Sequence, residues 1–336
     1  MYFGGKEMDI VKNVLLLLVG FVLLVKGADF FVEGSASVAR KLKIPSIIVG
    51  LTIVAMGTSL PELAVSLSAA LEGANEIAVS NVVGSNIFNL IVVLGVCAVI
   101  SPIAVDKSVM KREMPFMIGI TALLAVMIGD YFIPWTKVSK AGKIVGSISR
   151  FDGIVLLILF MIFMAFTVKT ALKSRKNATE SNEENKKEIS LLLSIVYIAG
   201  GICAIKFGGD FVVDSASFIA TKLGMSQTLV GLTIVAVGTS LPELVTSIVA
   251  AKKGETSLAI GNVVGSNIFN ILLILGVSAT ICPISVTMEA LIDIVVALVV
   301  SIVVFIFGRS KEKINRAEGA IMVLIYVIYM VYAIIR

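Results

Sequence analysis

Along this chain, long apolar stretches alternate with short polar breaks. The stretches fall at roughly 11–32, 45–70, 77–101, 113–134, 151–171, 189–212, 227–251, 257–281, 290–308 and 317–335. Each is close to the roughly 20 apolar residues that a helix needs to cross hydrocarbon, so the pattern predicts ten spanning helices. The first is too long for the core of a signal peptide and lacks a small-residue cleavage site, so it counts as a span. Between the fifth and sixth, Ser174 to Glu188 is rich in Lys, Glu and Asn and cannot enter hydrocarbon. The chain therefore divides into a five-helix half (1–173), a polar linker (174–188) and a second five-helix half (189–336).

The two halves repeat each other. A shift of 181 residues lays Asp29-Phe30 on Asp210-Phe211, Val49 to Leu63 on Val230 to Leu244, Asn81 to Asn89 on Asn262 to Asn270, and Pro102 on Pro283. Only Met56 against Val237 differs in the second block, and nothing differs in the third. Five spans is an odd number, so the second half must enter the membrane from the opposite side. The expected fold is an all-α integral membrane protein built as two inverted repeats about an axis in the membrane plane, a layout common among secondary transporters.

Composition agrees with this pattern. The chain is 58% apolar and 15% charged, against about 45 to 50% and about 25% in soluble domains. Its 336 residues leave no room for a large soluble domain beside ten spans. A net charge of +5 is what basic cytoplasmic loops produce, and nucleic acid is not an expected partner. With the N-terminus outside, 18 of the 28 Lys and Arg residues fall on the inner side, although four lie in the outer 137–150 loop. That bias places both termini outside and the linker in the cytoplasm. The absence of histidine removes imidazole metal sites and His-based triads. Cys97, Cys203 and Cys282 lie in apolar runs without paired spacing and read as small hydrophobes.

The chemistry lies in the repeated blocks. Gly-Thr-Ser-Leu-Pro-Glu occurs mid-span at Gly57 to Glu62 and again at Gly238 to Glu243. A carboxylate at that depth costs roughly 2.5 to 3.5 kcal/mol to insert, so Glu62 and Glu243 are expected to face a cavity or a cation. Pro61 and Pro242 lack an N–H and clash with the carbonyls of Gly57 and Gly238, which predicts broken second and seventh helices. A proline kink repaired by a Thr or Ser hydroxyl would explain the prolines but not the two glutamates. In Gly-Ser-Asn-Ile-Phe-Asn, at 84–89 and 265–270, Ser85 and Asn89 are four apart, as are Ser266 and Asn270, so each pair shares a helical face. Gly84 and Gly265 read as packing positions, Asn89 and Asn270 as ligands turned towards the glutamates. Asp29 and Asp210 read as structural, and Glu289 and Asp293 as interfacial. Carboxylate, hydroxyl, amide and carbonyl oxygens without nitrogen or sulfur suit Ca2+ or Na+. Two glutamates balance one Ca2+ or two Na+, so the two ions would compete.

The paired blocks resemble the alpha repeats of the cation/calcium exchanger superfamily, and the ten-span layout resembles its prokaryotic sodium/calcium exchangers. The resemblance covers nearly the whole chain outside the linker and termini. It implies a Na+/Ca2+ antiporter of a prokaryotic cytoplasmic membrane, not an enzyme, with no cofactor and no obligate protein partner. It implies Glu62 and Glu243 as central ligands, supported by Thr58, Ser59, Thr239, Ser240, Ser85, Ser266, Asn89 and the carbonyls of Ala55 and Ala236, with the first and sixth helices sliding over the rest. Asn270 stands where the potassium-dependent branch carries aspartate, so potassium coupling is not expected. The linker lacks the large regulatory loop of animal exchangers. Two alternatives stay open: a proton-coupled Ca2+ antiporter, whose usual motif places Gly-Asn ahead of the acid, and a cation channel, which could not move Ca2+ uphill.

Overall fold

The computed structural model describes residues 5–73, 76–128, 144–177, 189–225, 230, 234 and 236–336. Helix α1 (Gly5–Leu42) is followed by a broken span made of α2 (Ser46–Val49), a π-helical stretch (Gly50–Val54), α3 (Ala55–Thr58) and α4 (Leu60–Glu72). Next come α5 (Glu76–Phe88), a π-helical stretch (Asn89–Val93), α6 (Leu94–Ile100), α7 (Met114–Ile128) and α8 (Arg150–Asn177). The second half holds α9 (Leu191–Lys222), α10 (Ala236–Gly238), α11 (Leu241–Lys252), α12 (Thr256–Phe269), a π-helical stretch (Asn270–Leu275), α13 (Gly276–Ile281), α14 (Met288–Lys311) and α15 (Arg316–Ile335).

Seven described helices are long and apolar enough to span a bilayer, and the pair Ser46–Thr58 and Leu60–Glu72, bent by 49°, makes an eighth. The expected fourth stretch is described only as far as Ile128, and residues 227–229, 231–233 and 235 of the expected seventh lie outside the described residues. Helix α8 runs through Asn177, so the first four residues of the expected linker continue the helix, while 178–188 lie outside the described residues. Asp293 pairs with Arg336 through two bonds of 2.7 and 2.6 Å that join α14 to α15.

Sequence chemistry sets the helix ends. Ser190 accepts the Leu193 N–H at 3.2 Å to cap α9, and Asn315 and Glu318 cap α15 reciprocally. Four short strands supplement the helices: β1 (Ile103–Ala104) pairs antiparallel with β4 (Lys313–Ile314), and β2 (Ile144–Ile148) with β3 (Ile284–Thr287). β1 and β3 are repeat-mates, each following the glycine-serine-asparagine helix of its half.

Burial falls off from the centre outwards. The segments 77–100 and 256–281, which carry the two asparagine blocks, are the most enclosed spans, and α15 is the most exposed to surrounding lipid. Helices α1 and α9 pack antiparallel along their lengths. Glycines seven residues apart line this seam: a Cβ at Gly20 would lie 2.9 Å from the Gly208 carbonyl, and one at Gly27 3.0 Å from that of Gly201. Backbones this close form a tight pair lying against the remaining helices.

Candidate ion-binding site

The break expected from Pro61 falls at Ser59. Helix α3 ends at Thr58, Ser59 leaves helical geometry with ψ 7°, and Pro61 sits in the first turn of α4, where its missing N–H costs nothing. In the second half α10 ends at Gly238, Ser240 has ψ 5°, and Pro242 opens α11 in the same way. Each glutamate therefore lies in the first turn of a half-helix in mid-membrane, near the N–H groups at the positive end of the helix dipole. Both are fully buried, as are Thr58, Ser66, Ser240, Ser266, Asn89 and Asn270.

The two halves build the site by crossing. Ser240 donates to Glu62 Oε1 at 3.2 Å, and Ser59 donates to Glu243 Oε1 at 3.1 Å, so each motif serine serves the other half's glutamate. The block serines stay with their own half: Ser85 reaches Glu62 Oε1 at 3.3 Å and Ser266 reaches Glu243 Oε1 at 3.4 Å. Ser240 also lies 3.0 Å from Ser85, closing a small hydroxyl ring around Glu62. One oxygen of each carboxylate is thus held by two hydroxyls. The other, Oε2, is buried and has no hydrogen-bond partner among the described residues.

Asn89 and Asn270 begin the π-helical stretches of their spans, and such bulges recur at functional sites because they redirect side chains. Asn270 donates to Asn86 Oδ1 at 3.0 Å and keeps its own Oδ1 unpartnered, whereas neither polar atom of Asn89 bonds to protein. Orphaned buried acceptors are costly unless something else meets them. Here four such oxygens belong to residues at matching repeat positions.

The implied carbonyl ligands are less open. The Ala55 carbonyl already accepts the Ser59 N–H at 3.0 Å and lies 3.3 Å from the Thr58 hydroxyl. The Ala236 backbone opens α10, and Thr239 lies half-buried in the turn that follows it. The Thr58 hydroxyl is also 3.0 Å from Asn262 Oδ1 and 3.4 Å from Ser266, which ties the first broken helix to the second half.

Four residues escaped the sequence reading as site components. Asn81 donates to Ser66 at 3.0 Å and to the Glu62 carbonyl at 3.2 Å; Asn262 donates to Ser247 at 3.0 Å and to the Glu243 carbonyl at 3.5 Å. These amides hold the half-helices that carry the glutamates. Asn86 and Asn267 exchange side chain to backbone bonds across the repeat axis at 3.3 and 3.2 Å. All four lie inside the nine identical residues of the third block, a signal that could have found them. A Cβ on Gly265 would sit 2.7 Å from the Ala55 Cβ and 2.8 Å from the Leu51 Cα, which fits the packing role expected of it. Leu232, which the 181-residue shift sets against Gly84, lies outside the described residues.

Among the described residues no third acidic or sulfur ligand joins the glutamates in a metal-sized cluster. The donor set is two carboxylates among neutral oxygens, which suits a hard cation with adaptable geometry. Fold and site together define a multi-pass membrane transporter for cations. Residues 12–169 and 193–335 match the family model described as sodium/calcium exchanger protein. The chain belongs to the sodium/calcium exchanger family of antiporters. It is 38% identical over 344 residues to the sodium/calcium exchanger MaX1 of Methanosarcina acetivorans, covering 96% of this chain and 98% of that one. It is 34% identical to the inner membrane protein YrbG of Escherichia coli over 80% of this chain and 79% of that one. The solved sodium-calcium exchanger NCX_Mj, soaked with 10 mM Na+ and 10 mM Sr2+, superposes with a TM-score of 0.80 at 34% identity over 96% of this chain and 98% of that one.

Proposed function

We propose that the chain exchanges Na+ for Ca2+ across a cytoplasmic membrane by alternating access, with ten spans in two inverted halves (1–173 and 189–336), both termini outside and the 174–188 linker inside. The observation that carries this reading is the pair of buried glutamates, each with one oxygen held by hydroxyls and one without a protein partner. Two negative charges match one Ca2+ or two Na+. Glu62 and Glu243 bind it, and Ser59, Ser240, Ser85, Ser266, Thr58, Thr239, Asn89 and Asn270 complete the shell with neutral oxygens. The carbonyls of Ala55 and Ala236 join once the backbone of the broken helices turns them inward. Either ion neutralises the site, so both cannot occupy it fully at once, and this competition is the basis of exchange.

The test is uptake of radiolabelled Ca2+ into proteoliposomes against imposed Na+, K+ and pH gradients. Uphill Ca2+ movement driven by Na+ alone supports the reading. Uphill movement driven only by a proton gradient would assign the proton-coupled mechanism, and purely downhill flux a channel.

Two further results follow from the ligand set. Acidification at fixed Na+ gradient lowers Ca2+ uptake, because protons neutralise the glutamates that hold Ca2+ and no histidine is present to relay them. A flux that rises steadily from neutral to acid pH contradicts this. Replacing K+ by choline on both sides leaves uptake unchanged, since Asn270 and Asn89 add amide oxygens but no charge to offset a co-bound cation. Uptake that stops without K+ and returns with it would show another residue supplying that charge.

A further inference from the structure

The inverted halves are alike at the site and unlike at the ends of α1 and α9. Lys253, just after α11, donates to the Asp29 carbonyl at 3.0 Å and lies 3.4 Å from Asp29 Oδ1 and 3.8 Å from Glu33 Oε2. Two turns beyond Glu33, Arg40 reaches Glu255 at 3.3 Å. Both links join α1 to the α11–α12 junction. The 181-residue shift gives their counterparts: Asp210 for Asp29, Asp214 for Glu33, Glu72 for Lys253 and Thr221 for Arg40. One junction therefore sets two acids against a lysine, and the corresponding positions of the other half are three acids, which would meet if α9 closed on α4. Asp210 pairs within its own helix, with Lys206 at 2.6 Å, and among the described residues no ion pair joins α9 to α4.

Packing follows the charges. Helix α1 lies along α11, and Leu241 and Val245 pack against the apolar cluster to which its Leu24, Ala28 and Phe31 belong, whereas α9 and α4 scarcely meet. Leu60, the repeat-mate of Leu241, is 42% exposed and the neighbouring Met56 52%. The face on which this happens is fixed by a shared cavity: Leu42 at the end of α1 and Ile44 just beyond it line it together with Leu172 and Arg175 near the end of α8. The Lys253 and Arg40 links therefore lie at the face where α8 runs into the linker.

We infer that this charge asymmetry is an electrostatic latch: it holds α1 against α11 at the linker-side face, opposes the equivalent closure of α9 on α4 at the other face, and so sets from which side the site is reached at rest. The inference rests on the alternating-access reading above. Each partly exposed pair is weak by itself. Attraction at one junction and repulsion at the other act on the same equilibrium, however, because the seam joins α1 and α9 into one pair. The apparent affinity for an ion at the closed face is lowered by the fraction of molecules open to that face, so a shift in the resting equilibrium moves the two faces in opposite directions.

The test places spin labels at Val25→Cys on α1 and Lys252→Cys on α11, with Cys97, Cys203 and Cys282 changed to alanine, in the full chain in proteoliposomes. The distance distribution between the labels needs no transport to be read. Lys253→Glu is expected to raise the separated population about three- to tenfold, and Glu72→Lys, which creates the missing attraction at the opposite face, to raise it likewise. Lys253→Arg keeps the wild-type distribution, and raising salt from 10 to 500 mM shifts the wild type in the direction of Lys253→Glu. In the transport arm, both charge changes lower the Ca2+ KM at the linker-side face and raise it at the other. Unchanged distances in both variants overturn the latch, and so does an effect of Lys253→Glu that Glu72→Lys does not share, or sided KM values that move together. Wild-type protein without Na+-driven Ca2+ uptake would instead overturn the exchange reading, while the distances still judge the latch.

Discussion

Glu62→Gln and Glu243→Gln are each expected to abolish Na+-driven Ca2+ uptake while leaving expression and folding largely intact. Either change keeps the side chain's length and lets Oε1 go on accepting the two hydroxyls that now reach it. What it removes is one of two buried charges. Ca2+ in the altered site would carry an uncompensated positive charge in surroundings that water does not reach, and leaving one buried charge of a pair unmatched costs about 3 to 5 kcal/mol. That corresponds to a loss of Ca2+ affinity of roughly 150- to 4000-fold. Folding is spared because a neutral amide is easier to bury than a carboxylate. Ca2+ titration of the purified variants, beside proteoliposome uptake, separates lost binding from lost protein. Near-normal uptake by either variant would sink the two-carboxylate site.

Gly265→Ala is expected to lower thermal stability and transport together. At Gly265 the new methyl would sit 2.7 Å from the Ala55 Cβ, 2.8 Å from the Leu51 Cα and 2.9 Å from the Leu51 carbonyl, and two of these three atoms are backbone that cannot rotate aside. Helix α12 would be pushed off the π-helical stretch Gly50–Val54 and the turn that carries Ala55 to Thr58. Overpacking of this kind costs about 1 to 3 kcal/mol, and here the displaced backbone leads directly into the Ser59–Glu243 contact. Gly265→Ala therefore lowers both thermal stability and transport. Melting curves in detergent and uptake rates check this, and wild-type stability and transport in Gly265→Ala would contradict it.

Much of this protein was legible because lipid imposes strict rules on sequence. Apolar runs about the length of a bilayer must be helices, since no other open structure satisfies its own backbone in hydrocarbon, and a glutamate within such a run must have a purpose. The proline beside that glutamate marked each break to within two residues, and the 181-residue repeat with an odd number of spans implied the inverted relation of the halves. What the one-dimensional pattern does not contain is which atom meets which across the repeat axis. Ser59 and Ser240 are read naturally as partners of the glutamates three residues away, yet each serves the glutamate of the other half, because the two breaks face each other and a broken helix turns its hydroxyls away from its own first turn. Asp29 and Asp210 likewise share a motif, but the lysine that meets Asp29 comes from just after α11, whereas Asp210 pairs within its own helix with Lys206. Residue type and local period follow from the free energy of burial in lipid, which the chain itself specifies. Partnership across inverted halves depends on helix crossings that break the symmetry, and those exist only in the folded molecule.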